Sequence, residues 1–337
     1  PIDSLSRAIL LLGQERIVDS VMAYMTRSIR DNATEEWPTG DIDFWQHCLS
    51  VGIAARMLAE KMQIPAAQKC FIAGLIHDVG KLALLNFDAQ TYRRVIRDVQ
   101  MTSRPVEFIE LEAFGVTHAN LSGQISRQWK LPAHFMKAVA FHHDGPAHIT
   151  GTLANVVRTA NLLAKIAGFS GSGNPYNMIT EELLMPHPRV KQADMQEILR
   201  TLPQMVEEMS GMIIGKGDAK GLKRVEIDPL ATKREKVSLT VAISDGVERM
   251  LLRYMASALG YHVRQHDDGV ASDAADEDAI HVAIMDYEPA NPPSNQHIID
   301  FTSWRSRQRE MPDNRLNIIE LRDWVASNIE AALIVKA

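Results

Sequence analysis

Apolar positions recur at helical spacing up to about residue 212, and then the period changes. Ile2, Leu5, Ile9 and Leu12, followed by Ile17, Val21 and Tyr24, carry a helical stripe across a break at Gly13. Residues 31–41 form a polar connector with Pro38 and Gly40. Asp43 is the expected N-cap of a helix with Trp45, Leu49, Ile53 and Met57 on one stripe. Further helices are expected over residues 92–99, from Pro105 through Phe114, over 117–129, over 133–142 and over 153–167, the last closed by Gly168. No strand is expected in this half. Residues 213–236 hold Gly215, Gly217, Gly221 and a run of Lys and Arg with little apolar period, so they read as a basic linker. From Ser238 short β-type runs alternate with helical patterns. Strands are expected at 239–243, 260–263, 280–285, 297–301 and 316–320, with helices over 246–259 and 322–334. Alternation of this kind implies a parallel sheet covered by helices. The acidic stretch 267–278 reads as a mobile loop.

The most informative stretch is Phe71 to Leu82. Apolar residues lie on nearly every side of it, which predicts a buried helix. His77, Asp78 and Lys81 are set in its middle. Unpaired charge in a core costs several kcal/mol or is neutralised, so these three must meet partners: side chains, a metal or a phosphate. His47, His118 and the pair His142 and His143 stand in similar apolar surroundings. Imidazoles with one or two carboxylates bind first-row divalent ions, and Asp78 has two oxygens with which to bridge two of them. Lys81 would then neutralise phosphate charge. The competing reading is a hydrogen-bonded core cluster that fixes helix packing.

Composition narrows the class. At 337 residues two domains are expected, and 46% hydrophobic with 23% charged residues suffices for two cores. A net charge of −6 and a pI near 6.1 argue against a general nucleic-acid-binding surface. Cys48 and Cys70 both fall in apolar helical patterns and read as buried thiols in a reducing compartment. No apolar run is expected to reach the ~20 residues that span a bilayer. The first residues lack the features of a signal peptide, so a cytoplasmic location is expected.

The ordered series of segments resembles a known family. Ile2-Asp3-Ser4-Leu5, Phe44-Trp45-Gln46-His47, Ala73 through Leu82, His118 with Gly123, Trp129-Lys130-Leu131-Pro132, His142-His143 and Leu153-Ala154 with Ala160 are similar to the HD superfamily of metal-dependent phosphohydrolases. They are closer to its HDOD branch, the HD-related output domain of bacterial signalling proteins. The resemblance implies an all-α domain over residues 1–212, shorter at its N-terminus than is usual for the branch. It implies metal ligands at His47, His77, Asp78, His118, His142 and His143, with Lys81 acting in catalysis only if the protein is an enzyme. The catalytic pattern expects Asp after Ala160, where this chain has Asn161; an amide is a poor substitute for an anionic ligand. The Gly-Tyr-Pro signature of the HD-GYP phosphodiesterases is also missing, since Asp144-Gly145-Pro146 follows the His pair. One divalent transition metal (Fe, Mn or Zn) is the expected cofactor.

Residues 237–337 resemble a response-regulator receiver, a small flavodoxin-like α/β domain. Asp245, Asp286 and Thr302 occupy its site positions, but Ser244 replaces one carboxylate and Glu320-Leu321-Arg322 supplies no lysine. The expectation is a two-domain signalling regulator that works by protein contact or ligand binding. Its partners would be signalling proteins or a small nucleotide, with a homo-oligomer allowed and no membrane or nucleic acid. The alternative is a metal-dependent phosphohydrolase acting on a nucleotide or cyclic nucleotide.

Overall fold

The computed structural model describes residues 37–38, 41–65, 67–102, 104–144, 152–171, 173–214, 237–263, 280–285, 296–302, 304, 306 and 315–334. The N-terminal stripe, residues 215–236 of the linker, the acidic stretch and Asp286 lie outside the described residues; Ile213 and Ile214, expected in the linker, still belong to the helix Gln192–Ile214. Helices α1 (Asp41–Lys61), α2 (Ala67–Ile76), α3 (Val79–Phe87), α4 (Ala89–Thr102), α5 (Val106–Phe114), α6 (His118–Gln128), α7 (Ala133–Ala140) and α8 (Thr152–Ile166) come first. Strand β1 (Tyr176–Met178), α9 (Glu181–Leu184) and α10 (Gln192–Ile214) follow. The smaller unit holds β2 (Val237–Ala242), α11 (Gly246–Ala258), β3 (His262–Val263), β4 (Ile280–Met285), β5 (Gln296–Asp300), β6 (Arg315–Asn317) and α12 (Ile318–Ile334).

Local chemistry explains most helix ends. Pro105 and Pro132 sit at the N-caps of α5 and α7. The Thr117 side chain accepts from Asn120 N at the start of α6. Gly115, with φ of 70°, closes α5 in the left-handed conformation that glycine adopts without steric cost. Asp43 lies inside α1, which begins at Asp41. The expected helix over residues 71–82 breaks at His77 and Asp78, so the two polar residues occupy a corner between α2 and α3. Residues 67–87 together are long and apolar enough to cross a bilayer, contrary to expectation, but most of that stretch is buried in the helical core.

Two close approaches set the helix packing. A Cβ on Gly74 would lie 2.7 Å from Val51 O, so α2 crosses α1 at backbone distance. A Cβ on Gly80 would collide with His118 O, and Gly80 N donates to Ser122 Oγ at 2.8 Å. These glycines bring the α2–α3 corner against α1 and α6 together. Cys48 and Cys70 are both buried, free thiols.

The smaller unit is a four-stranded parallel sheet in the order β3-β2-β4-β5, with Leu239 opposite Val282 and Ala283 opposite Ile298. The expected fifth strand does not join it. Residues 315–317 instead pair antiparallel with β1, a strand in the half where none was expected, and Ile318 already begins α12. Asn317 faces Tyr176 in that pair, and Ile318 N donates to Pro175 O at 3.1 Å. One hydrophobic core runs through both units, from Leu184 and Leu199 to Leu251 and Met255. Buried Tyr254 donates its hydroxyl to Leu184 O at 3.1 Å across the junction.

Candidate metal centre

His47 comes from α1, His77 and Asp78 from the corner before α3, His118 from the start of α6, and His142 and His143 from just beyond α7. All six converge. Asp78 is the hub: its Oδ1 lies 3.3 Å from His118 Nε2 and 3.4 Å from His142 Nε2. Its Oδ2 lies 3.4 Å from His77 Nε2 and 3.6 Å from His47 Nε2. His47 and His77 meet Nε2 to Nε2 at 3.3 Å, and His118 and His143 at 3.1 Å. Two sets therefore share one carboxylate: His47, His77 and Asp78; and Asp78, His118, His142 and His143. Within each set the donor atoms lie within 4.8 Å of one another.

The tautomers follow from the outer partners. His47 Nδ1 faces Phe169 O, His77 Nδ1 faces Gly74 O and His142 Nδ1 faces Val139 O, each at 2.7 Å. His118 Nδ1 meets Glu110 Oε2 at 2.6 Å, and His143 Nδ1 meets Glu107 Oε1 at 2.9 Å. Carbonyl and carboxylate oxygens only accept, so Nδ1 of His47, His77, His118 and His142 carries a hydrogen and donates it, while Glu107 stands beside His143 as an ion-pair partner. When those four rings are neutral, each Nε2 is a lone pair aimed at the others. This is the arrangement of metal-ligating histidines, each oriented by a hydrogen bond from its second nitrogen.

Donors at these separations fit a cation. Around an ion with bonds of ~2.0–2.1 Å, neighbouring donors stand about 2.9–3.4 Å apart; the pairs here stand 3.1 to 3.6 Å apart. Asp78 Oδ1 and His142 Nε2 are buried without a hydrogen-bond partner, which a bound ion would resolve.

Electrostatics differ around the cluster. Burial pushes His47 down to about 4, and the Asp78 carboxylate only partly offsets it. Burial also holds His77 and His143 well below the usual imidazole range and lowers His142. At His118 burial acts the same way, but Glu110 and Asp78 outweigh it and raise this ring to about 9. For Asp78, burial favours the acid, yet the His77 and Lys81 charges hold its carboxyl well below the usual range.

The remaining candidate residues are placed as follows. Lys81, nearly inaccessible at 1% side-chain exposure, donates to Asp78 Oδ2 at 2.7 Å. Asn161 is buried on α8, a helix packed against α1, α2 and α7, and its Oδ1 has no hydrogen-bond partner. In the smaller unit Asp245 caps α11, accepting from Val247 N and Glu248 N at 2.9 and 3.0 Å. Thr302 donates its hydroxyl to Asp300 Oδ1 at 2.6 Å.

Glu107, Glu110 and Tyr92 were not singled out from the sequence. Glu110 accepts from His118 N and Nδ1 on one oxygen and from the Tyr92 hydroxyl on the other. A signal was available: Glu110 follows Ile109 and lies one turn beyond Val106, at the buried register of α5.

Residues 1–145 match the family model described as the HDOD domain. The N-terminal part of the chain is thus similar to the HDOD domain. An HDOD domain protein of unknown function from Geobacter sulfurreducens has a similar structure, at 18% identity over 64% of this chain and 75% of that one, with a TM-score of 0.50. A protein from Shewanella amazonensis, named only provisionally as a phosphohydrolase, aligns at 17% identity over 62% and 70% with a TM-score of 0.43. One from Marinobacter aquaeolei, provisionally named a signal transduction protein, aligns at 20% identity over 55% and 42% with a TM-score of 0.45. The first of these likenesses concerns the fold alone. No curated protein matches the chain.

Proposed function

We propose that this protein is a cytoplasmic signalling regulator that acts through contacts with partner proteins, and that its histidine cluster is a buried metal centre serving the fold. The observation that supports this reading is burial. His47, His77, Asp78, His118 and His142 expose 1% or less, and the His143 side chain exposes 8%. A phosphodiester needs an open face on the reacting centre, and these residues turn theirs toward one another. When bound, a divalent ion supplies fixed positive charge and Lewis acidity at the junction of α1, α3, α6 and α7. The chain's own groups do the rest: Glu110 holds a proton on His118, three peptide carbonyls do so for His47, His77 and His142, and Glu107 places a carboxylate beside His143. Expected partners are signalling proteins or a small nucleotide.

The smaller unit fits a receiver-like role in contacts rather than phosphotransfer. Its order β3-β2-β4-β5 corresponds to the first four strands of a flavodoxin-like sheet. Asp245, however, is engaged as a helix cap and Ser244 stands beside it.

One observation favours the phosphohydrolase alternative: two ligand sets share Asp78, the arrangement a two-metal hydrolase needs. Hydrolysis of bis(p-nitrophenyl) phosphate by the full chain, supplied with Mn(II) or Fe(II), decides between them. Turnover at background is expected. Brisk turnover that disappears in Asp78→Ala would make this protein an enzyme.

A further inference from the structure

The two oxygens of Asp78 face different surroundings. On the Oδ1 side stand His118 and His142, with His143 beyond His118. Two of these three rings are backed by carboxylates, Glu110 and Glu107. On the Oδ2 side stand His77 and His47, both backed by peptide carbonyls, and Lys81 Nζ at 2.7 Å. Lys81 is anchored there: its backbone N donates to Asp78 O at 2.9 Å, and its side chain is closed in by the core. Lys165, buried one turn after Asn161 on α8, adds positive field at His47. Negative charge thus gathers on one side of the hub and positive charge on the other. An ammonium against Oδ2 repels a divalent ion seeking the same oxygen, and burial leaves that repulsion poorly screened.

We infer that Lys81 is a built-in cation that takes the place of a second metal ion, so the centre holds a single ion on Asp78 Oδ1, His118, His142 and His143. The inference rests on the metal-centre reading above and adds which half is filled and what keeps the other empty. It assigns Lys81 to the site itself and not to a substrate phosphate. Lys81 excludes an ion even where His47 and His77 remain available.

The test titrates Mn(II) into the full chain and counts ions at saturation, with electron paramagnetic resonance separating an isolated ion from a carboxylate-bridged pair. The wild type is expected to saturate at one ion with an isolated signal. Lys81→Met should take up a second ion and show the coupled signal, while Lys81→Arg, which keeps the charge, should stay at one. A Lys81→Met protein that still binds one ion overturns the inference, as does a wild type that binds two. Should Lys81→Met unfold in chelator, Mn(II) is expected to restore its thermal midpoint. A loss of folding that Mn(II) leaves unchanged would show a purely structural lysine and would also overturn it. A wild type that binds no ion refutes the metal-centre reading itself, before the lysine variants are reached.

Discussion

Asp78 and Asp245 are both carboxylates at the N-cap of a helix, and they are used in opposite ways. Asp245 accepts from Val247 N and Glu248 N and so satisfies orphan amides of α11. Asp78 stands at the start of α3 and makes no side-chain cap bond. Its oxygens turn instead to four imidazoles and an ammonium. A carboxylate withheld from the local amides that would have donated to it marks a site organised by tertiary contacts. One that caps its own helix has an adequate local explanation. By this comparison the helical unit retains a convergent centre, and the described part of the smaller unit keeps an acidic corner with a mainly structural task.

Mutation should expose the contrast. Asp78→Ala leaves Lys81 buried without its carboxylate, and breaking a buried pair costs about 3–5 kcal/mol. Urea unfolding of the metal-free protein measures this; a loss below about 1 kcal/mol would place Asp78 in the same class as a surface cap. Asp245→Ala should cost only about 0.5–2 kcal/mol, the usual range for a lost N-cap. It should also leave metal content unchanged. If both variants lose equal stability and only Asp245→Ala loses metal, the comparison is inverted.

Acid gives an effect of intermediate size. Unfolded, these histidines take up protons near pH 6.5; folded, His47 does so only near pH 4. That shift alone corresponds to on the order of 3 kcal/mol. The contribution is complete above pH 6.5 and is lost as the pH falls toward 4. The depressed His77, His142 and His143 act in the same direction. His118 acts oppositely: its contribution is present below pH 6.5 and is lost as the pH rises through about 9. The metal-free protein should therefore be most stable near neutrality and fall steeply on the acid side. The His47→Phe variant should flatten the acid limb, and an unchanged limb would remove His47 from the account.

Legibility followed the range of the interactions. The helices were readable because α4 and α8 keep an apolar stripe and Pro or Gly punctuates their ends. The break at His77 and Asp78 was not, because apolar residues continue on both sides and the corner is set by Gly80 packing on His118 O. The antiparallel pair of β1 with β6 was hidden for the same reason: Tyr176 and Asn317 are neighbours only in the folded chain. The site histidines could be picked out by type and surroundings. Their outer partners were harder to see, since three are peptide carbonyls that no sequence pattern marks. Glu107, off the buried register of α5, reads as an ordinary helix acid until α5 is docked beside α6.

The most direct test of the metal centre is X-ray absorption on the full chain loaded with one equivalent of Zn(II). The account predicts a shell dominated by imidazole nitrogen with carboxylate oxygen, at bonds of ~2.0–2.1 Å. That shell should lose imidazole scattering in His142→Ala. A shell without imidazole, or one that His142→Ala leaves unchanged, would contradict it.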